Sequence, residues 1–198
     1  MSPRRVPALE TTRLLLTLPS DRDAEELCAY LERNREHLRP WSPPEPPGAV
    51  TLVGALRRIE NIQREFQSGT SARFWVRELP NASGPFIGAV TLSNIVLGAF
   101  RACYLGYQLD VAHVGHGFMH EALESVIEYA FVELRLHRIM ANYVPENERS
   151  ARVLRRSGFV VEGYARDYLF VGGGFRDHVL TSLTNADLLD AERLCTPA

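Results

Sequence analysis

Apolar residues recur at helical spacing in some stretches of the chain and at strand-like density in most of the others. From Phe118 to Leu134, Met119, Leu123, Val126, Ile127, Ala130, Phe131 and Leu134 share one face, which predicts an amphipathic helix. A second helix is predicted over about Val50–Gln67, with Val53, Leu56, Ile59 or Ile62, and Phe66 on its apolar side. A third runs from Arg22 to about Arg33, started by Ser20-Asp21 and carrying Ala24, Leu27, Cys28 and Leu31 on one side. Strands are predicted at Arg13–Thr17, Ala72–Leu79, Phe86–Ile95, Arg101–Val111, Arg138–Val144, Tyr164–Val171 and Arg176–Thr184. Pro80 to Pro85 is a turn cluster, and Gly172-Gly173-Gly174 reads as the bend of a final hairpin. Glu148–Ser157 is a short helix, with Asn147 as its cap and Gly158 as its stop. The order β-α-α-β-β-β-α-β-α-β-β is that of an α+β protein with a mostly antiparallel sheet, not the regular alternation of a doubly wound one.

Bulk properties narrow the picture only slightly. The 198 residues suit one domain, with a core at about 11–185 and a C-terminal tail at about 188–198. A net charge of −2 gives no general argument for nucleic acid or membrane as partner. Cys28, Cys103 and Cys195 are scattered and form no C-x-x-C pair, so neither a disulfide framework nor a zinc site is suggested. With no apolar leader at the N-terminus, a cytoplasmic setting is expected, and Asn81-Ala82-Ser83 is read as a chance sequon. A monomer and a homodimer are equally compatible with the sequence.

Chemistry enters at Leu109-Asp110-Val111-Ala112-His113-Val114-Gly115-His116-Gly117-Phe118-Met119. A strand ends, two glycines lie two apart, and a long helix begins. Glycine permits a tight turn and lets backbone approach a ligand. The free N–H groups of the first helical turn, with the helix dipole, form an anion site suited to a pyrophosphate. Alone, Gly-x-Gly also fits an ordinary strand-to-helix turn. A Rossmann site is disfavoured by the missing third glycine, and a P-loop by the absence of Gly-Lys-Ser/Thr.

The company of this turn is more specific. A strand follows the helix, then Asn147-Glu148-Arg149-Ser150 opens a helix ending Arg155-Arg156-Ser157-Gly158-Phe159. The arrangement resembles the GNAT superfamily of N-acetyltransferases. Further stretches resemble its RimJ/RimL type: Ala102-Cys103-Tyr104-Leu105-Gly106-Tyr107, His137 to Tyr143, Glu162 to Leu169, Arg176 to Thr181, Thr12-Arg13-Leu14 and Asn34 to Trp41. The likeness spans roughly Thr11 to Asn185, and its second half is nearer RimJ. It implies a GNAT fold with helices on both faces of the sheet and acetyl-CoA as cosubstrate, without a metal. It further implies a cofactor site at Leu109, Asp110, Val111, Val114, Gly115, His116, Gly117, Phe118, Met119 and Asn147. Acetyl transfer to the N-terminal α-amine of a protein, a small-subunit ribosomal protein in RimJ's case, by direct attack in a ternary complex, is the implied activity. Acetylation of a small amine, or binding of CoA without catalysis, are the competing readings. Two positions depart from the wider family. Ala112 stands where Gln or Arg is common, and Tyr104 stands where many relatives carry a glutamate.

Acetyl transfer requires a held cofactor, a neutral amine, a polarised carbonyl and a stabilised leaving thiolate. At pH 7.4 roughly a quarter of an α-amine is already neutral, against about one lysine in a thousand, so the demand on a base is modest. Ser150 is the candidate for the thiolate, by resemblance to the RimL pattern; service to its own helix is the alternative. Tyr104 is the candidate at the position of the lost glutamate, with Asp167, Tyr168 and Asp177 as substitutes. Glu121 is read as a helix-terminus residue. His113, His116 and His120 cluster at the turn without a third acidic ligand for a metal. Arg155 and Arg156 either approach the phosphates or are solvated charges. Trp41, in a proline-rich loop, and the final hairpin are expected to border the acceptor site.

Overall fold

The computed structural model describes residues 4–188. Met1 to Pro3, the tail from 189 onward and Cys195 lie outside the described residues. The elements are β1 (Ala8–Glu10), β2 (Leu14–Thr17), α1 (Ala24–Arg33), α2 (Arg35–Leu38), α3 (Leu52–Ser68), β3 (Ala72–Glu78), β4 (Phe86–Val96), β5 (Ala102–Leu109), α4 (Phe118–Val132), β6 (Arg138–Tyr143), α5 (Glu148–Arg156), β7 (Val160–Val171) and β8 (Gly174–Thr184). Among the described residues the eight strands form one sheet, in the order β1-β2-β3-β4-β5-β6-β8-β7. Every pairing is antiparallel except β5 with β6.

Alternation along the strands sends side chains to two cores. Trp75, Phe86 and Ala89 pack with Ala24, Leu27 and Tyr30 of α1 and Ala55 and Ile59 of α3. Phe74, Val76, Val90, Cys103, Leu105, Ile139 and Ala141 pack with Met119, Leu123 and Val126 of α4 and Leu154 of α5. Helices therefore cover both faces. Trp75 is fully buried, edge-on to Tyr30 with ring centroids 5.0 Å apart.

Several boundaries differ from the sequence reading. β1 is an extra strand, too short for its alternation to stand out. A 3-10 turn, Asp21–Asp23, precedes α1, and Asp23 accepts both the Ser20 N–H and hydroxyl at 2.7 and 2.9 Å. The proline-rich stretch begins as α2 and a 3-10 turn, Arg39–Trp41. In α3 the buried face is Ala55, Ile59, Ile62 and Phe66, while Val53 and Leu56 are exposed. Gly54 explains the rotation: it lies against loop backbone, where a Cβ would stand 2.2 Å from the Gly48 carbonyl oxygen, so the first turn meets the loop and Val53 and Leu56 turn outward. α4 ends at Val132, short of Leu134. β7 begins at Val160, four residues early. The final hairpin closes between Val171 and Gly174 with Gly172 and Gly173 at φ 60 and 90, the two left-handed positions of a tight turn matched to strand twist.

The feature that positions the site is where β5 and β6 stop pairing. The Arg101 carbonyl accepts the His137 and Arg138 N–H groups, and the strands then run side by side for only three pairs, ending at Tyr104↔Met140. Beyond that, β5 from Leu105 to Leu109 stays bonded to β4, while β6 from Ala141 to Tyr143 stays bonded to β8. The sheet splits along its middle, and a cavity of about 990 Å³ occupies the opening.

Candidate active site

The cavity is lined from both faces of the sheet. Leu105, Tyr107 and Leu109 belong to the α4–α5 side, since their parity on β5 is that of buried Cys103. Tyr104, Gly106 and Gln108 belong to the other. Asn142 of β6 lies opposite in parity to Ala141 and Tyr143, and so joins the Tyr104 side. The opening is thus a passage through the sheet, and two reactants can meet in it from opposite faces.

On the α4–α5 side, β5 leads through Asp110 and a 3-10 turn, Val111–His113, into Gly115 and Gly117 at φ 91 and 79. These left-handed values are near-free for glycine and costly for other residues. A Cβ on Gly115 would meet nothing within 4 Å, so the turn is open to an approaching group. Among the described residues, no protein acceptor takes the backbone N–H of any residue from Gly115 to His120. This row of donors stands at the N-terminus of a fifteen-residue helix, where the helix dipole also favours an anion.

The turn is braced from below. The Asp110 carboxylate is buried and accepts Arg33 Nε at 2.7 Å, Asn34 Nδ2 at 3.1 Å and the Ala112 N–H at 2.9 Å. Burial alone would raise its pKa, but these donors and the Arg33 charge outweigh it and hold the carboxyl at about 2. Asn34 Oδ1 in turn accepts the Val111 N–H at 3.0 Å. Glu121 accepts Thr11 Oγ1 at 2.6 Å and the Arg13 N–H and Nε at 2.9 and 2.7 Å, tying the β1–β2 bend to the start of α4. Arg13 Nη1 donates to the His116 carbonyl and its guanidinium lies over the Phe118 ring.

The other end of this side of the passage is set by α5. Asn147 Oδ1 accepts the Ser150 N–H at 3.1 Å, an N-cap that fixes the first turn. Ser150 Oγ then lies 2.6 Å from the Tyr107 hydroxyl. Burial pushes the Tyr107 phenol well above its usual range, more than the Ser150 hydrogen bond lowers it, so it stays protonated. Either hydroxyl can be the donor in this pair, and the Tyr107 O–H also lies 3.3 Å from the Ser150 carbonyl oxygen, to which only it can donate. The pair can deliver a hydrogen bond, or a proton, to a developing anion in the cavity.

On the opposite side, Asn142 Nδ2 donates to the Tyr168 hydroxyl at 3.0 Å, and Tyr104 and Tyr168 both line the cavity. Burial first, then Tyr104, raises the Tyr168 phenol. β4 contributes Ser93 and Asn94, where a register shift leaves Asn94 at φ 50. The Trp41 loop closes over this mouth. Its Ser42 carbonyl accepts the Gly172 N–H at 3.1 Å, and a Cβ on Gly172 would stand 2.8 Å from the Pro40 carbonyl oxygen.

Of the sequence-predicted residues, Leu109, Val114, Gly115, Gly117, Met119, Asn147, Ser150 and Tyr104 line the cavity. Asp110, Val111, His116 and Phe118 do not. Asp110 and Phe118 are buried braces of the turn, Val111 offers its N–H to Asn34, and His116 contributes its carbonyl to Arg13. Asp167 and Asp177 lie away from the cavity: the Asp177 carboxylate accepts the Tyr164 hydroxyl at 2.6 Å and the Asp167 N–H at 2.9 Å, holding the irregular middle of β7. Arg156, with Arg149 and Arg152, lines the cavity, whereas Arg155 lines a separate hollow. His120 Nδ1 lies 3.0 Å from Ser157 Oγ and Nε2 lies 3.5 Å from Glu124, and no group of three metal-binding side chains exists among the described residues. Tyr107 is the residue that sequence reasoning passed over. Its only signal was an apolar-core parity on β5 with a polar tip.

The chain also has relatives among known proteins. Residues 13–160 match the family model described as Acetyltransferase (GNAT) domain. The chain is 42% identical over 179 residues, 90% of its own length and 91% of the relative's, to the ribosomal protein uS5-alanine N-acetyltransferase of Escherichia coli (strain K12). Among solved structures it is similar to ribosomal-protein-S5-alanine acetyltransferase from Vibrio fischeri, with a TM-score of 0.86, 36% identity, and coverage of 93% of this chain and 100% of that one. It is also similar to Mycobacterium smegmatis RimJ in complex with CoA-disulfide, with a TM-score of 0.84, 28% identity, and coverage of 95% and 90%.

Proposed function

The chain belongs to the GNAT family of acetyltransferases, and we propose that its acceptor is the N-terminal α-amine of a ribosomal protein, with alanine as first residue. It is an acetyl-CoA-dependent N-acetyltransferase. Acetyl-CoA supplies an acetyl group activated as a thioester. The residues present fit such a cosubstrate: the N–H row from Gly115 to His120 for its pyrophosphate, the unpaired edge of β5 and Asn147 for its extended arm, and the Tyr107–Ser150 pair for its sulfur end.

The remaining steps fall to the protein. β5 and α5 hold the thiol end against Tyr107 and Ser150, whose paired hydroxyls can present a proton to it. The acceptor enters from the Tyr104 side, past Trp41 and Tyr168, so that the two substrates meet inside the split sheet. Entry from opposite faces supports direct transfer in a ternary complex, because neither substrate must leave before the other binds. The likeness to the E. coli uS5-alanine enzyme over nine tenths of the chain carries the choice of acceptor. The same reading makes the chain a single catalytic domain acting in the cytoplasm, where ribosomal proteins are made.

Thiol release from acetyl-CoA tests this proposal. A peptide copying the N-terminus of uS5 should be turned over, and the same peptide with a blocked α-amine should not. Release only with free amino acids or aminoglycosides would overturn the protein acceptor.

A further inference from the structure

Among the described residues no carboxylate lines the cavity, and its basic side chains other than arginine are His37, His120 and His178. His120 is engaged by Ser157 and Glu124 on the α4–α5 side. His178 lies on β8, on the first residue beyond the last β6–β8 pair, Tyr143↔Val179, and so at the margin of the opening. It is 3% exposed, and its ring lies 5.5 Å from that of Tyr168. Its Nδ1 is 2.9 Å from the Arg176 carbonyl oxygen. A carbonyl can only accept, so Nδ1 carries the proton and the neutral ring holds its lone pair on Nε2. Among the described residues Nε2 has no partner, and it is not one of the sealed polar atoms. A histidine that lines the cavity, with its tautomer fixed by backbone and its other nitrogen unpartnered, has the chemistry of a base.

We propose that His178 Nε2 deprotonates the acceptor α-ammonium, an inference that rests on the function proposed above. The ammonium N–H bond breaks, its electron pair stays on nitrogen as the nucleophile, and the proton passes to Nε2. The imidazolium then returns that proton to water at the open mouth. In the net reaction one ammonium and one acetyl thioester give one N-acetyl amide, one thiol and one proton.

His178→Asn tests the proposal, because an asparagine amide can keep the hydrogen bond to the Arg176 carbonyl yet has no basic atom. The other titratable or charged groups around this wall are Tyr168 of β7, Tyr104 of β5, His37 of α2, Arg149 and Arg152 of α5, and Arg176 of β8 itself. Burial and then Arg149 lower the His37 pKa below the usual imidazole value. With an N-terminal alanine peptide at pH 7, the variant should lose about 100-fold in kcat/KM. Acetyl-CoA affinity by calorimetry should stay within about threefold. The deficit should shrink about fivefold or more by pH 9, where the α-amine is neutral in solution; a merely structural role would give a deficit that does not depend on pH. In the wild-type protein, ¹⁵N NMR should find the His178 proton on Nδ1. Activity within threefold of wild type, a deficit equal at pH 7 and 9, an Nε2–H tautomer, or the loss transferring to His37→Asn instead would each overturn the assignment. Failure of the wild-type protein to acetylate any peptide would instead remove the acceptor reading on which it rests.

Discussion

On the α4–α5 side the cavity is bordered at one end by backbone, the turn from Val114 to Gly117 and the N–H groups through His120, and beyond it by Leu105, Tyr107, Leu109 and Ser150, the last set in place by the Asn147 cap. On the opposite side it is lined by side chains, Trp41, Tyr104, Asn142, Tyr168 and His178, contributed by the 3-10 turn after α2 and by β5, β6, β7 and β8. The contrast fits the two substrates. A cosubstrate that never changes is well served by backbone donors, which side-chain substitution does not alter. An acceptor that differs between relatives is better met by side chains, which can be exchanged without disturbing the turn.

Substitutions can break this contrast, and the largest effect is expected where the walls meet. Tyr107→Phe and Ser150→Ala should each lower kcat about 100-fold while acetyl-CoA affinity by calorimetry stays within about threefold. The double variant should be little worse than either single, since the two hydroxyls act as one unit. Additive losses would show that they act separately.

Next is the brace of the turn. Asp110 is depressed to about 2 from 3.8, so the stability it contributes is fully present above about pH 4 and is lost as pH falls toward 2. Asp110→Asn should cost about 2 kcal/mol at pH 7 in denaturant unfolding, with the difference from wild type vanishing near pH 2. A smaller effect is expected at Gly117. A valine there must hold φ near 79, which costs about 1–2 kcal/mol, so acetyl-CoA should bind about tenfold more weakly with the peptide KM unchanged. The smallest effect belongs to the opposite wall. Trp41→Ala should raise the peptide KM about three- to fivefold and leave acetyl-CoA affinity alone. A reversed pattern for Gly117 and Trp41, read by calorimetry and steady-state kinetics, would dissolve the contrast between the walls.

The two walls also differed in how far they were legible in the sequence. The turn and its flanking helices are local: Gly115, Gly117 and Asn147 act through their own φ angles or a neighbour three residues on, and short-range spacing is what a sequence displays. The passage itself is not local. Tyr107 and Ser150 are 43 positions apart, and Asp110 meets Arg33 across 77. Asp110 sits in the motif like a ligand, yet its carboxylate is consumed by a helix the motif does not contain. The split between β5 and β6 leaves no mark in either strand, because it arises from where parallel pairing ends. The same limit misplaced part of the apolar face of α3, where Gly54 lies against the Gly48 backbone and Val53 and Leu56 turn outward. His178 read as one more strand residue until the Arg176 carbonyl fixed its tautomer.

The most direct test uses a peptide with a free N-terminal alanine and an internal lysine, incubated with the enzyme and acetyl-CoA and mapped by fragmentation mass spectrometry. The account predicts a single acetyl group on the terminal nitrogen and an unmodified lysine. Acetyl on the lysine, or none on the peptide while a small amine is acetylated, would contradict it.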